Sequence, residues 1–308
     1  MKCLVTGGAG FVGSHLIEQL IMEKHSVVCL DDFSTGKKKN IVNVESEIKI
    51  IKGDIRDIDT IQEAVKDIDC VFHLAAQISV SRSLREPRFD ASVNIEGMIN
   101  LLEAVKDDSV KFIYISTGGA IYGEPKSNPA SETTLEKPIS PYGLSKLVAE
   151  KYLQWFHRIY GFPYIIIRPA NIYGPRQDPL GEAGVISIFL GKIRNNEPLR
   201  IFGDGTDTRD YVYVRDVVDL CIKAMHSSTI DTFNAGTGNQ TNVLELINVI
   251  EHVTNSVADK KFCNPRPGDV HNIALDSTKA YRQLGWKATT NLTLGIQKTW
   301  EWFSNQDT

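Results

Sequence analysis

The first 170 residues alternate short, uninterrupted apolar runs with longer segments in which apolar residues recur at helical spacing. The apolar runs are KCLVT (2–6), SVVCLD (26–31), IKII (48–51), CVFHLA (70–75), VKFIYIS (110–116) and PYIIIRP (163–169). The helical patterns lie near 12–24, near 57–67, near 88–106, and after SPYGLSK (140–146). Strands without polar alternation that are separated by helices are typical of right-handed β-α-β units. The pattern therefore predicts an α/β fold with a doubly wound parallel sheet.

The pattern loosens after about residue 170. Loops rich in Gly, Pro and Asp, such as YGPRQDPLGEAG, IFGDGTDTRDY and NPRPGD, separate shorter helical segments. Loops carried by a rigid scaffold commonly hold ligands. We therefore divide the chain into a sheet-forming domain, 1–170, and a smaller C-terminal α/β region, 171–308, that is expected to hold most of the substrate.

Composition excludes several classes of function. The chain of 308 residues is 42% hydrophobic and 23% charged with a net charge of −4, so bulk charge does not indicate a nucleic-acid partner. Its five cysteines show no C-x-x-C spacing, which argues against a cysteine-based zinc site and a disulfide scaffold. With no apolar run long enough for a bilayer and no signal-peptide pattern after Met1, we expect a cytoplasmic protein without a membrane partner.

The segment LVTGGAGFVGSHL places Gly7, Gly10 and Gly13 three apart between a predicted strand and a predicted helix. Glycines at this turn let the backbone approach a pyrophosphate, and the helix N-terminus offers free amides to its oxygens. The second strand ends at Asp31, where a carboxylate would bind an adenosine ribose and repel the additional phosphate of NADP. This order of features predicts NAD as the cofactor.

Tyr142 and Lys146 in SPYGLSK lie four residues apart, so they face the same side of a predicted helix. A free phenol has a pKa near 10 and is a poor base at neutral pH. An ammonium group and a positive nicotinamide ring beside it would lower that pKa toward the range of a general base. The pair could also be an inert surface pair, but the glycine-rich segment and the strand end YISTGGAIYG favour a catalytic interpretation.

The G-x-x-G-x-x-G spacing, the Y-x-x-x-K of SPYGLSK and the segments KGDIRD, FHLAAQ and VNIEG resemble the extended short-chain dehydrogenase/reductase family, in particular its NAD-dependent epimerases and dehydratases. The resemblance covers nearly the whole chain and implies a Rossmann-type fold. It also implies that Tyr142 removes the proton of a sugar hydroxyl and that Lys146 hydrogen-bonds the nicotinamide ribose. The cofactor-binding residues that it implies are Gly7, Gly10, Phe11, Val12, Gly13, Asp31, Asp32, Ser34, Thr35, Gly36, Asp54, Ile55, Leu74, Ala75, Ala76, Gln77, Asn94, Tyr142 and Lys146.

The chain departs from the family pattern at the hydroxyl group that donates to the reacting oxygen. Aligned on the following YG, the usual Ser or Thr falls on Gly118, which has no hydroxyl. Two neighbours, Ser116 and Thr117, carry one. We expect Thr117 to take this catalytic role, with Ser116 as the alternative.

The same loop bears on the reaction. In the family, 4,6-dehydratases resemble STDEVYG, with Asp-Glu directly after the threonine, and UDP-xylose synthases have a glutamate there, whereas this chain has Gly118 and Gly119. The resemblance therefore implies a UDP-sugar 4-epimerase, an isomerase that interconverts UDP-glucose and UDP-galactose. The alternatives are a UDP-N-acetylglucosamine 4-epimerase, a UDP-glucuronate epimerase or decarboxylase, and a dTDP-glucose 4,6-dehydratase. A reductase is disfavoured by Asp31, and a non-catalytic dinucleotide sensor by the presence of Tyr142 and Lys146.

Three C-terminal segments, RPANIYGPRQ, GDGTDTRDYVYVRD and RPGD, resemble the substrate loops of the family. Arginine forks suit a diphosphate and a carboxylate suits a ribose diol, although Arg168 and Arg176 taken alone could be surface charges. The UDP-sugar contacts implied by the resemblance are Thr117, Tyr142, Asn171, Phe202, Arg209, Arg266 and Asp269.

Two further expectations concern the sugar and the assembly. Ile273 follows RPGD at a position that is bulky in strict glucose/galactose enzymes of the family and small where N-acetyl sugars are accepted; its intermediate size leaves both open. Related enzymes dimerise through two helices of each subunit, which would lie near 88–106 and 143–160 here. We expect a homodimer, with Leu101, Leu102 and Val105 serving either the core or the interface.

Overall fold

The computed structural model of the chain describes residues 1–106, 109–180, 184–265 and 270–305. Within these residues the strands are β1 (Lys2–Thr6), β2 (Ser26–Asp31), β3 (Ile48–Lys52), β4 (Cys70–His73), β5 (Lys111–Ile115), β6 (Tyr164–Pro169), β7 (Asn171–Tyr173), β8 (Leu199–Phe202), β9 (Thr208–Arg209), β10 (Tyr211–Tyr213), β11 (Asp231–Ala235), β12 (Thr241–Asn242), β13 (Lys260–Cys263) and β14 (Asn272–Ile273). The α-helices are α1 (Phe11–Met22), α2 (Ile58–Ala64), α3 (Val80–Arg85), α4 (Pro87–Ala91), α5 (Gly97–Val105), α6 (Gly118–Ile121), α7 (Pro141–Tyr160), α8 (Val185–Arg194), α9 (Val214–His226), α10 (Val243–Thr254), α11 (Thr278–Leu284) and α12 (Leu292–Ser304).

The central sheet has seven parallel strands in the order β11-β6-β5-β4-β1-β2-β3. All six strands expected from the apolar runs are present, so the predicted doubly wound α/β fold of Rossmann type is confirmed. The direction of strand order reverses between β1 and β4. In open parallel sheets, ligands bind at the carboxyl ends of the strands beside such a reversal. The loops after β1 and β4 therefore mark the ligand crevice.

The seventh strand, β11, was not among the predicted strands and lies beyond residue 170, so the sheet is built from both predicted parts of the chain. Its sequence DTFNA contains few apolar residues. Asn234 within it is nevertheless fully buried, because its amide donates to Ala130 O (2.9 Å) and its Oδ1 accepts from Tyr122 OH (2.7 Å). Its neighbours Phe233 and Ala235 are fully buried too, so the strand combines apolar burial with hydrogen bonds that an apolar pattern does not reveal.

The helical pattern near 88–106 is confirmed but is not one regular α-helix. A π-helical segment, Ser92–Glu96, connects α4 to α5. Single π-turns inside helices are frequently found at functional sites. The buried side chain of Asn94 projects from this segment.

Helices cover both faces of the sheet, with α1 and α9 contributing to one buried cluster and α2, α5 and α7 to the other. Leu101, Leu102 and Val105 are fully buried in the second cluster, so they belong to the core and not to an exposed interface. A third cluster joins α8, α10 and α12 in the C-terminal part, where the smaller sheets β10-β7, β12-β9-β14 and β13-β8 lie.

Candidate active site

The glycine-rich turn between β1 and α1 is closely packed against the loop after β4. A Cβ atom at Gly7 would lie 2.8 Å from Ala75 N, and the positive φ of Gly7 (67°) disfavours any side chain. Gly10 precedes α1 and makes no side-chain cap, so no capping side chain competes with a ligand for the first amides of this helix. The turn provides the narrow backbone cradle that a dinucleotide pyrophosphate requires.

Asp31 lies where the sequence predicts, at the end of β2 beside this turn. Its carboxylate is buried and accepts from Ala9 N (2.9 Å) and Phe33 N (2.8 Å), and burial raises its pKa. A carboxylate offers about four acceptor sites, so oxygen lone pairs remain for a ribose diol. Asp32 accepts from Ser34 N (2.9 Å) and Ser34 Oγ (2.7 Å), which fixes the start of the next loop.

Two other predicted cofactor residues are engaged by the protein itself. The carboxylate of Asp54 forms a fork with Arg56, with Oδ2 2.5 Å from Nη2, and this hydrogen bond lowers the pKa of Asp54. Ile55 next to it is buried, and a Cβ at Gly97 would lie 2.5 Å from its Cδ1. The segment 54–56 is therefore held by the Asp54–Arg56 pair and by the packing of Ile55 against Gly97.

Asn94 connects three parts of the site. Its Oδ1 accepts from Gln77 N (2.9 Å), and its amide nitrogen lies within hydrogen-bond distance of Gln77 O (3.0 Å), Ser145 Oγ (3.1 Å) and Asp90 Oδ1 (3.2 Å). The loop after β4, the π-helical segment and α7 are thereby held together. The sequence predicts Asn94 as a cofactor contact, and the structure gives its side chain this bridging position.

The predicted loop residues 74–77 follow β4 directly. The amides of Leu74 and Ala75 both donate to Thr6 Oγ1 at 3.2 Å, which ties the loop to the end of β1. Gln77 is buried, and its side-chain amide donates to Asp90 Oδ1 at 2.7 Å. These bonds hold the loop between the ends of β1 and β4, where the strand order reverses and where we expect the cofactor.

Tyr142 lies in the first turn of α7. Ser140 caps this helix by accepting from Gly143 N (3.1 Å), and Pro141 occupies the first helical position. Burial raises the pKa of Tyr142 to about 12, and a hydrogen bond from the Thr117 side chain opposes that rise. Two residues that the sequence predicts to act together are therefore adjacent.

Lys146 lies one turn further along α7 and is almost fully buried. Its Nζ donates to Ile115 O (2.7 Å) and lies 4.4 Å from the ring centre of Tyr114. Burial lowers the pKa of Lys146 to about 7, against the opposing charges of Glu150 and Asp90. The groups of the chain, taken alone, thus do not produce the lowered phenol pKa that the sequence predicts, because burial outweighs them.

The structure explains the glycine at the position where the family has a hydroxyl. A Cβ atom at Gly118 would overlap Leu275 Cδ1 and lie 3.1 Å from Arg168 O, so a side chain here would require the fully buried Leu275 to move. Thr117, one residue earlier, reaches Tyr142 instead. Ser116 Oγ is buried and has no hydrogen-bond partner among the described residues.

The predicted substrate residue Asn171 lies beside this loop: a Cβ at Gly119 would be 3.3 Å from its Oδ1. Arg209 lies in β9 and its Nη1 donates to Thr208 O (2.9 Å) and His271 O (3.2 Å). Ile273 pairs with Arg209 between β14 and β9, and its side chain is buried in an apolar cluster. Phe202 ends β8 and is partly exposed, whereas Arg266 and Asp269 lie outside the described residues.

Sequence reasoning missed a buried ionic network behind Lys146. Arg168 is 2% exposed and contacts Glu150 (2.6 Å), Glu136 (2.9 Å) and Tyr122 OH (2.9 Å). Arg176 pairs with Glu18, so neither arginine is an unpaired surface charge. The available signal was Glu150, which follows Lys146 by four residues and therefore lies on the same face of α7.

No helix in the described part of the chain is both long enough and apolar enough to cross a membrane.

Comparison with known proteins gives one family and several close relatives. The family model described as GDP-mannose 4,6-dehydratase matches residues 4–299. A putative UDP-glucose 4-epimerase of Methanocaldococcus jannaschii is 44% identical over 306 residues, covering 99% of both proteins. The UDP-glucose 4-epimerase of Mycolicibacterium smegmatis is 43% identical over 311 residues, again covering 99% of both.

Solved structures agree over the full length. The UDP-glucose 4-epimerase of Thermotoga maritima with UDP-glucose has a TM-score of 0.95 at 44% identity. The UDP-glucose 4-epimerase of Thermus thermophilus in complex with NAD has a TM-score of 0.94 at 37% identity. The UDP-N-acetylglucosamine 4-epimerase of Methanobrevibacter ruminantium has a TM-score of 0.94 at 34% identity. Each comparison covers 99% of both chains.

Proposed function

Because the chain belongs to the family described as GDP-mannose 4,6-dehydratase, within the short-chain dehydrogenase/reductase-type epimerases and dehydratases, we propose that it interconverts UDP-glucose and UDP-galactose. At the coarser level the protein is a nucleotide-sugar 4-epimerase, an isomerase whose cofactor is NAD. The choice of the sugar pair is the part that we propose.

The absence of carboxylates after Thr117 carries the choice of reaction. In dehydratase relatives Asp and Glu follow the threonine of this loop, whereas Gly118 and Gly119 follow Thr117 here, and a Cβ at Gly118 would overlap Leu275. An epimerase needs no second acid–base pair, because the same carbon that is oxidised is reduced again from its other face. The sugar pair is supported by the names of relatives at 43–44% identity, whereas the N-acetylglucosamine enzyme is 34% identical.

The cradle formed by Gly7 and Gly13 and the carboxylate of Asp31 fit NAD. We propose that the amides at the start of α1 bind the pyrophosphate, that Asp31 binds the adenosine ribose and that Lys146 binds the nicotinamide ribose. Bound NAD supplies the redox chemistry by accepting a hydride from C4 of the sugar and returning it.

Tyr142 moves the proton in this scheme. Its phenolate oxygen removes the proton from the C4 hydroxyl and gives it back when the hydride returns to the other face. The Thr117 hydroxyl donates to the phenol oxygen of Tyr142, which favours the charged form of Tyr142 against the effect of burial. When NAD is bound, the positive charge of its nicotinamide ring would also favour the phenolate and so lower the pKa of Tyr142.

We propose that Asn171, Phe202 and Arg209, together with Arg266 and Asp269, hold the UDP moiety. Arginine suits a diphosphate through its fixed fork of donors. Asn171 is the member of this set that lies next to the Thr117 loop, so it would contact the sugar end of the diphosphate.

We further propose that the protein is a cytoplasmic homodimer. Exposed apolar side chains follow α7 at helical spacing, namely Leu144, Tyr152, Trp155 and Ile159. A second copy with the same stripe would cover them and complete a bundle of helices. The cysteines Cys3, Cys29, Cys70 and Cys221 are free and buried, which suits a reducing compartment.

The test is incubation of purified protein with UDP-galactose, without added NAD, followed by chromatographic separation of the UDP-sugars. UDP-glucose should form, and Tyr142→Phe should abolish its formation. Tyr281→Phe, at an exposed tyrosine in α11, is the matched control and should leave the rate unchanged.

Parallel incubations with UDP-N-acetylglucosamine and UDP-glucuronate decide the sugar. Faster turnover of either one would overturn the glucose/galactose assignment while leaving the 4-epimerase. Failure of all three sugars, with and without added NAD, would overturn the epimerase itself.

A further inference from the structure

Three side chains of types that can bind a metal ion converge at the amino ends of the strands, the end of the sheet opposite the active site. Glu23 directly follows α1, His25 directly precedes β2, and His226 is the last residue of α9. The ligand atoms of these residues lie within 4.8 Å of one another. Within the described part of the chain this is the one group of at least three such side chains with that spacing.

The distances do not fit direct hydrogen bonds. Glu23 Oε2 lies 3.8 Å from His25 Nε2 and 3.7 Å from His226 Nε2, beyond normal hydrogen-bond length. Zinc bonds of about 2.0–2.1 Å at tetrahedral angles place neighbouring ligand atoms about 3.4 Å apart. A small rotation of the side chains would therefore suffice to bring all three atoms onto one ion.

The groups behind the ligands fix their orientation. Gln19 Nε2 donates to Glu23 Oε1 at 2.7 Å, which leaves Oε2 facing the two imidazoles. His25 Nδ1 lies 3.3 Å from the Met1 ammonium, which can only donate to it, so binding of an ion at Nε2 on the side of Glu23 releases one proton from this pair. Outer partners of this kind orient the ligands of metal sites and contribute to affinity.

The backbone between Glu23 and His25, in the turn after α1, is also fixed. Lys24 has a left-handed φ of 64°, its amide donates to Ile21 O (2.8 Å), and the His25 amide donates to Leu20 O (2.9 Å). This closed turn after α1 brings the side chains of Glu23 and His25 to one side.

Solvent access and ligand type are compatible with an ion. Glu23 and His226 are accessible from solvent, which gives an ion a path of entry. Two imidazole nitrogens with one carboxylate suit zinc-class ions and disfavour magnesium and calcium.

We propose that Glu23, His25 and His226 bind one divalent ion of the zinc class, with water at its remaining position. The ion would join the end of α1 to the end of α9, two helices that the chain places about 200 residues apart. We therefore expect the ion to affect stability and not activity, because the proposed epimerase site lies at the opposite, carboxyl ends of the strands.

The test uses full-length protein with no affinity tag, since added histidines would compete and an extension at Met1 would disturb His25. Co²⁺ and Zn²⁺ are titrated in a buffer that binds neither, with absorption and calorimetry as readouts. One ion per chain should bind, and His25→Gln or His226→Gln should weaken binding by tenfold or more.

His252→Gln, at an exposed histidine of α10, is the matched control and should bind as the parent does. Zn²⁺ should raise the melting temperature of the parent and of this control but not that of His226→Gln. Melting curves without metal show that each variant is folded. Absence of saturable binding, or equal affinity in His25→Gln, His226→Gln and the parent, would overturn the proposal whatever the epimerase assay shows.

Discussion

Two buried cations near Glu150, Lys146 and Arg168, have opposite surroundings. Lys146 on α7 is 3% exposed, and its ammonium contacts a backbone carbonyl and the ring of Tyr114. Arg168 on β6 is 2% exposed, and its guanidinium contacts two carboxylates and a phenol. Burial lowers the pKa of Lys146 to about 7, whereas for Arg168 the hydrogen bonds and charge of Glu150 outweigh burial and raise the pKa.

The difference separates a structural charge from one available for chemistry. The planar fork of arginine can be saturated by carboxylates, and a saturated buried cation is held in one state. A lysine without a direct carboxylate partner can change its protonation near neutral pH. Glu150 connects the two, because it binds Arg168 directly and still raises the pKa of Lys146.

The largest expected effect follows from removing the unpaired cation. Lys146→Met, which conserves volume, should lower kcat by about 10²- to 10⁴-fold, since it removes the group that we propose to bind the nicotinamide ribose one helical turn from Tyr142. The assay is conversion of UDP-galactose by protein shown to be folded. Activity within a few-fold of the parent would mean that Lys146 is as structural as Arg168.

The same variant tests the pKa of Lys146 independently of activity. The folded-state pKa of about 7 is below the unfolded value of about 10.4, so between these pH values the unfolded state binds more protons and the stability of the parent rises with pH. Methionine has no such proton. The stability of Lys146→Met relative to the parent should therefore be greater at pH 6 than at pH 10, measured by urea unfolding. An identical difference at both pH values would contradict the lowered pKa.

The next effect concerns the paired cation. Arg168→Met should lower the free energy of unfolding by about 3–5 kcal/mol, because it leaves Glu150 buried without its main partner. The double variant Arg168→Met/Glu150→Leu should recover most of this loss. Lys49→Met, in the exposed pair with Glu63, is the control and should cost at most about 1 kcal/mol. A double variant as unstable as Arg168→Met alone would show that the loss of stability does not come from leaving the charge of Glu150 unpaired.

The smallest expected effect on kcat comes from removing one of the two hydroxyl groups beside the site, those of Thr117 and Ser116. Thr117→Val should lower kcat about 10- to 100-fold, the value of one hydrogen bond to a charged group, because it removes the donor to Tyr142. Thr117→Ser should retain most activity. Ser116→Ala should change kcat little, since Ser116 Oγ has no hydrogen-bond partner among the described residues. The reverse order of effects would transfer the catalytic role to Ser116.

Local patterns predicted the scaffold well. Six strands buried on both faces were recognisable because each is an uninterrupted apolar run, and the glycine turn was recognisable because its spacing reflects one backbone geometry. The neighbourhood of Tyr142 and Thr117 also followed from sequence. The position of Gly118 against Leu275 did not, because these residues are separated by more than 150 positions.

The remaining features depend on distant partners. Arg168 resembled a surface charge because its carboxylates are 18 and 32 positions away in the chain. The strand β11 was missed because it has only two apolar residues, Phe233 and Ala235, and the polar Asn234 between them is buried through hydrogen bonds to distant residues. The raised pKa of Tyr142 reflects burial that only the assembled helices create. The sequence pattern predicts local geometry, whereas burial and pairing between residues far apart in the chain require the folded structure.

The parallel pairing of β11 with β6 has a consequence for how the protein is made. A ribosome that has completed β6 has still to synthesise more than 60 residues before β11 can cover it. Until then the nascent chain presents YIIIRP as an open, strongly apolar edge, the kind of strand that recruits other strands. A fragment ending at residue 170 should therefore aggregate, and the growing polypeptide has a defined interval in which a chaperone would protect it.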